Sequence, residues 1–109
     1  MQFDIPILFV IFNRFDTAKQ VFERIKEVQP SKLYIAADGP RENKVGESEK
    51  CQQVRDLVKL IDWNCEVKTL FRDKNLGCAK AVSGAISWLF ENEEMGIILE
   101  DDCLPHLDF

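Results

Sequence analysis

Three acidic side chains stand together near the end of this 109-residue sequence, directly after an apolar run. Residues 97–99 (IIL) lead without a turn residue into Glu100, Asp101 and Asp102. Such a run is typical of a buried strand, and adjacent carboxylates repel each other unless a cation joins them. Because hard oxygen ligands suit Mg²⁺ or Mn²⁺, the pattern predicts a divalent-cation site. A solvated turn capped by one of the aspartates would explain the same residues without a ligand.

Three earlier apolar runs also end in polar residues. Asn13 and Arg14 follow the first run, Asp38, Gly39 and Arg41 follow the second, and residues 72–75 (RDKN) follow the third. If these runs are parallel strands, all the polar groups meet at the carboxyl edge of one sheet, where ligands of open α/β sheets bind. Loops are polar in any case. That explanation accounts for the third group, but less well for acids that continue a buried strand.

The elements that must position these groups alternate between strand and helix. Four runs are typical of strands, and they cover residues 5–12, 32–38, 66–71 and 96–99. Three apolar stripes at helical spacing predict helices, and they cover residues 18–28, 51–61 and 79–90. Asp16 or Thr17 is expected to cap the first helix, and the polar residues 41–50 predict a loop. The alternation predicts an α/β fold with a mostly parallel sheet and helices on both faces.

Composition and charge exclude several classes of function. The formal net charge is -5, whereas non-specific nucleic-acid binding needs a basic face. The longest apolar run, residues 5–12, is too short for a transmembrane segment, which takes about 20 residues. The four cysteines are scattered without a Cys-x-x-Cys pair, and free thiols indicate a reducing, cytoplasmic location. Neither a P-loop nor the glycine-rich dinucleotide motif is present.

Four stretches, taken in order, carry a resemblance to a known family. "IILEDD" with the following "CLPHLDF" resembles the acidic D-x-D-type motif of GT-A fold glycosyltransferases, and is particularly similar to the N-acetylglucosaminyltransferase I-like branch. "PILFVIFNR" resembles the first strand and its donor-binding end, and "ADGPR" resembles the second strand end. "FRDKNLGCAKAVSGAISWLF" resembles the stretch in which Asn-x-Gly precedes the third helix. The resemblance implies the Rossmann-like half of a GT-A fold, a three-layer α/β domain with four strands in order 3-2-1-4.

The resemblance also implies a role for each polar group. Asp102 would be the direct ligand of Mn²⁺ or Mg²⁺, while Glu100 and Asp101 would contact ribose or sugar hydroxyls or reach the metal through water. Asp38 would accept a hydrogen bond from the ring N–H of the nucleobase, which favours uridine. The other residues implied in donor binding are Asn13, Arg14, Gly39, Arg72, Asn75 and Lys80.

The function that the resemblance implies is that of a metal-dependent glycosyltransferase. Such enzymes move a sugar from a nucleotide diphosphate, here UDP, to a glycan, lipid or protein acceptor. They carry the acceptor site and the catalytic base in a further domain, and no residue of this sequence is assigned as that base. Residues 1–109 are therefore expected to form a single donor-binding domain that lacks transferase activity on its own. An uncovered edge at strand four would favour homo-oligomers.

Two other interpretations stay open. A receiver-like signalling domain also binds Mg²⁺ through clustered carboxylates, but it places an acid pair after its first strand, where Asn13 and Arg14 stand here. A non-catalytic α/β domain would use the acidic residues only to stay in solution.

Overall fold

Strands and helices alternate along the chain, in a computed structural model that describes residues 3–101. In chain order they are β1 (Ile7–Ile11), α1 (Phe15–Val28), β2 (Lys32–Ala37), α2 (Glu47–Arg55), β3 (Glu66–Phe71), α3 (Cys78–Asn92) and β4 (Ile97–Glu100). A short 3-10 helix, Asp56–Leu60, follows α2. None of the described helices combines the length and the apolar character that a membrane crossing requires.

The four strands form one parallel sheet in the order β3-β2-β1-β4. In β1, Phe9 lies opposite Ile35 of β2 on one side and opposite Leu99 of β4 on the other. The predicted α/β fold with strand order 3-2-1-4 is therefore confirmed. Because all the strands are parallel, their carboxyl ends and the polar residues after them lie at the same edge of the sheet.

Helices cover both faces of the sheet, since successive side chains of a strand point to opposite sides. On one face, Phe9 of β1 belongs to a core cluster with Phe22 of α1 and Val54 of α2. On the other face, Leu8 belongs to a second cluster with Leu89 of α3. The central strands β1 and β2 are thus buried on both faces, which is why their sequences are almost continuously apolar.

The sequence predicts a loop over residues 41–50. This prediction is wrong for residues 47–50, because α2 begins at Glu47. The helix predicted over residues 51–61 is also wrong in its second half, where α2 ends at Arg55 and the 3-10 helix follows. Glu47 is buried and forms an ion pair with Arg41 across the intervening loop. The first turn of α2 is therefore held by a tertiary ion pair, whereas the prediction relied on an apolar stripe that begins at residue 51.

The start of α1 differs from the prediction as well. Arg14 is the N-cap residue, and no side chain caps the helix. Thr17 Oγ1 instead donates a hydrogen bond to the Arg14 carbonyl at 3.4 Å, and Asp16 lies in the first turn.

Strand β4 extends as far as Glu100, which pairs with Val10 of β1. The acidic group consequently begins within the sheet and not after it.

Candidate functional site

A cavity of about 300 Å³ lies at the carboxyl edge of the sheet, where β1, β2 and β4 end. This volume is at the lower end of the range for small-molecule sites in proteins. The beginning of α3 forms a further wall, with Gly77, Cys78, Ala81 and Val82. The cavity brings together the predicted site residues Asn13, Arg14, Asp38, Asn75, Glu100 and Asp101.

The other predicted site residues do not line this cavity. Gly39 is buried against the backbone of the loop after β3. The Arg72 guanidinium lies beside α3, where a Cβ built on Gly84 would be 2.9 Å from Arg72 Nη2. Lys80 is exposed on α3. Asp102, the predicted metal ligand, lies outside the described residues, so its role stays a prediction.

Asp38, which directly follows β2, is 8% exposed and organises the loop that leads into α3. Its Oδ1 accepts hydrogen bonds from the backbone N–H groups of Gly39 and Leu76, both at 2.9 Å. Its Oδ2 accepts hydrogen bonds from the Asn75 side-chain amide at 3.1 Å and from the Gly77 N–H at 3.2 Å. A carboxylate offers about four acceptor positions. Protein donors therefore account for the full accepting capacity of this one.

The hydrogen bonds from Asn75, Leu76 and Gly77 hold the turn that precedes α3 at the cavity. Gly77 is the N-cap residue, and its φ of 88° is a left-handed value that favours glycine. No side chain caps the helix, and the first N–H groups of an α-helix have no acceptor within it. These groups also carry the positive end of the helix dipole. The N-terminus of α3, at Cys78, thus has backbone N–H groups of the kind that bind anions.

The acidic wall of the cavity is bound to β1. Asp101 donates its backbone N–H to the Val10 carbonyl at 2.9 Å, and its Oδ2 accepts a hydrogen bond from the Phe12 N–H at 3.0 Å. Glu100 is partly buried and lines the same cavity. Both carboxylates are therefore fixed next to the end of β1, by strand pairing for Glu100 and by these two bonds for Asp101.

Glu47 is a residue of the site that sequence reasoning missed. It is 3% exposed, and its Oε1 accepts hydrogen bonds from Asn13 Nδ2 at 2.9 Å and from Arg41 Nη2 at 2.7 Å. Its Oε2 accepts hydrogen bonds from the Arg41 backbone N–H at 2.7 Å and from Arg41 Nε at 3.0 Å. The pKa of Glu47 is lowered to about 2, and the largest cause is the hydrogen bonding from the Arg41 side chain. Glycine before an acid-rich first turn, as in Gly46–Glu49 here, is the local pattern that could have indicated this helix start.

Arg55 joins the carboxyl ends of β2 and β3. Its Nη2 donates hydrogen bonds to the carbonyl oxygens of Asp38 at 3.2 Å and of Arg72 at 2.6 Å. Its guanidinium carbon lies 5.1 Å from the centre of the Phe71 ring, a distance at which a cation is attracted to an aromatic face. Arg55 thereby satisfies two backbone acceptors at the base of the loops that border the cavity.

Hard oxygen donors are present at the site, although no group of three or more His, Cys, Asp or Glu side chains within residues 3–101 is placed to hold a metal ion. Glu100 and Asp101 supply two carboxylates of the type that Mg²⁺ and Mn²⁺ bind. Mg²⁺ in nucleotide sites is commonly held by one or two carboxylates, with phosphate and water as its other ligands. The donor chemistry of the described residues fits a cation that is shared with a phosphate ligand.

In comparisons with protein-family models, curated proteins and solved structures, nothing matches this chain. A function is therefore inferred from the geometry of the cavity and from the motifs that line it.

Replacement of Gly39 by alanine is expected to destabilise the fold. A Cβ at this position would lie 2.5 Å from the carbonyl carbon of Lys74 and 2.6 Å from its nitrogen, so the backbone must move. We expect the free energy of unfolding, measured by urea denaturation, to fall by about 2–4 kcal/mol. Gly84→Ala is the matched control, because its methyl group meets only the end of the Arg72 side chain and improves helix propensity by about 1 kcal/mol. Equal losses in both variants would contradict this packing.

The stability of the protein is expected to depend on pH through Glu47. A carboxylate whose pKa is lowered on folding stabilises the protein above its unfolded pKa, here 4.5, and loses that contribution as the pH falls toward its folded pKa of about 2. In urea unfolding between pH 6 and pH 2, Glu47→Gln should therefore lose less stability than the wild type below about pH 4.5. The exposed Glu49→Gln is the control and should follow the wild-type curve. Parallel curves for wild type and Glu47→Gln would show that the Arg41 ion pair does not form.

Proposed function

We propose that the cavity binds a nucleotide diphosphate sugar together with a divalent cation, and that the chain is the donor-binding part of a metal-dependent glycosyltransferase. The observation that carries the proposal is the cavity itself. It joins an uncapped helix start, at Gly77 and Cys78, to two carboxylates at the end of β4. Anion-binding donors and metal-binding acceptors in one cleft are what a metal–diphosphate complex requires.

The position of the cavity supports a nucleotide ligand. Ligands of open parallel α/β sheets bind outside the carboxyl ends of the strands, at the point where the strand order reverses. Here β1 pairs with β2 on one side and with β4 on the other, so the chain proceeds outward in both directions from β1. The cavity lies at that reversal, with Asn13 and Arg14 following β1 and Glu100 and Asp101 at the end of β4.

Charge explains why a cation belongs to the proposal. The chain carries a net charge of -5, and two of the cavity's acids, Glu100 and Asp101, would repel a diphosphate. A divalent ion bound to these acids, and by prediction to Asp102, removes that repulsion. The ion would also stabilise the negative charge that develops on the diphosphate as the sugar is transferred. Arg14, which is exposed at the cavity, adds a positive charge from the protein itself.

The choice of uridine depends on Asp38. Its carboxylate already accepts four hydrogen bonds within the protein, so a nucleobase N–H has to replace one of them. The Asn75 amide is the donor that can be replaced, because its Nδ2 also donates to the Gly39 carbonyl at 2.8 Å and keeps that bond. Among the described residues, the three backbone donors have no such alternative, and those of Leu76 and Gly77 continue to hold the start of α3.

Isothermal titration calorimetry of the full chain with UDP tests the proposal. We expect binding that needs Mn²⁺ or Mg²⁺ and that weakens by about tenfold or more in EDTA, since the acids and the diphosphate then repel each other. UMP, which has one phosphate fewer, should bind more weakly than UDP under the same conditions. Equal UDP affinity with and without the cation, or no binding, would contradict the proposal.

Two variants locate the cation in the same experiment. Glu100→Gln and Asp101→Asn remove a charge each, and the asparagine keeps an oxygen that can accept the Phe12 N–H. Both should weaken metal-dependent UDP binding, whereas Glu91→Gln, an exposed change on α3, should not. Wild-type affinity in both acid variants would exclude these carboxylates from the cation site.

A further inference from the structure

We infer that Arg41 binds the phosphate-bearing part of the ligand and that Glu47 is the positioning residue that holds Arg41 at the cavity wall. Glu47 lies outside the motifs that the sequence analysis singles out, and Arg41, the last residue of "ADGPR", has no role assigned to it there. The identity of the ligand as a nucleotide diphosphate rests on the proposed function, whereas the phosphate contact rests on the geometry of this pair.

The ion pair is asymmetric. The Glu47 side chain is 4% exposed and the Arg41 side chain is 46% exposed. Glu47 is therefore the buried anchor, and Arg41 is the member that a ligand in the cavity can reach.

The way in which Glu47 binds Arg41 leaves one side of the guanidinium available. The carboxylate takes hydrogen bonds from Arg41 Nε and Nη2, at distances between 2.7 and 3.2 Å. Within residues 3–101, Arg41 Nη1 makes no hydrogen bond. Arginine has five N–H donors in a planar fork, so the two on Nη1 remain for an acceptor. A phosphate group offers oxygens that match this planar geometry.

Two further contacts restrict Arg41 before any ligand binds. Its guanidinium carbon lies 5.8 Å from the centre of the Phe12 ring, which also lines the cavity and attracts a cation to its face. Its backbone N–H is bound to Glu47 as well. A side chain that is already ordered loses less conformational entropy on binding.

Glu47 fixes a second residue of the cavity at the same time. Its Oε1 accepts a hydrogen bond from Asn13 Nδ2 at 2.9 Å, so one carboxylate connects the loop after β1 to the loop after β2. Loss of the Glu47 charge should therefore disturb Asn13 and Arg41 together, while the core below them stays intact.

The test is an NMR titration of the ¹⁵N-labelled full chain with inorganic pyrophosphate and, separately, with UDP, both in Mg²⁺. We expect Arg41→Lys to weaken pyrophosphate binding by about tenfold, because lysine keeps the charge but loses the planar donors. The double variant Arg41→Ala/Glu47→Gln should weaken it at least as much, and it leaves no buried carboxylate without a partner. As a control, Lys44→Ala removes one positive charge from the same exposed loop, and this variant should bind pyrophosphate as the wild type does.

Glu47→Gln separates positioning from general stability. Before any ligand is added, the side-chain resonances of Asn13 Nδ2 and Arg41 Nε should shift in this variant, whereas the amide resonances of Phe9 and Leu33 in the core should not. Like Arg41→Lys, the Glu47→Gln variant should bind pyrophosphate more weakly than the wild type does. Unchanged resonances and affinity would remove Glu47 from a positioning role.

The two ligands keep this inference distinct from the proposed function. If the wild type binds pyrophosphate through Arg41 but binds UDP no more tightly, the phosphate contact stands and the nucleotide proposal fails. If Arg41→Lys and the double variant bind pyrophosphate as the wild type does, the inference is overturned, and metal-dependent UDP binding would still support the proposed function. If the wild type binds neither ligand, both fail.

Discussion

Two buried carboxylates at the carboxyl edge of the sheet impose the geometry of everything around them. Of the charged side chains in residues 3–101, Asp38 and Glu47 are the buried ones. A carboxylate away from water is tolerated only when donors surround it. Asp38 obtains its donors from the turn before α3, and Glu47 obtains them from Arg41 and Asn13. The loops that follow β1, β2 and β3 are thereby ordered around two negative charges.

The result is a cleft with two chemically different sides. The uncapped start of α3, Arg14 and the available edge of Arg41 favour an anion, while Glu100 and Asp101 favour a cation. In an acidic protein, a bare phosphate ligand would meet repulsion from the second side. A phosphate that arrives with a divalent cation satisfies both sides, which is why the proposed ligand is a metal complex of a nucleotide diphosphate rather than an anion alone.

The sequence predicts the sheet well because its central strands are simple. Parallel strands that are buried on both faces are continuously apolar, as residues 7–11 and 33–37 are, and the polar residues after them must meet at one edge. The start of α2 is different, because Glu47 is fixed by partners at positions 13 and 41 and no local pattern marks which acid of that stretch is buried. Arg72 turns toward α3, where Gly84 has no side chain to exclude it. In each case the position of the side chain depends on a tertiary contact, and the spacing of residues along the chain does not predict that contact.

Paramagnetic broadening by Mn²⁺ in the presence of UDP would show where on the ¹⁵N-labelled protein the metal complex binds. We expect strong broadening of the Asn13 and Asn75 side-chain amides and of the Gly77 N–H. The indole N–H of Trp63, which is bound to the Pro30 carbonyl at the opposite edge of the sheet, should stay sharp. Broadening at Trp63 but not at Asn13, or equal broadening throughout the protein, would contradict a metal–diphosphate site at the carboxyl edge.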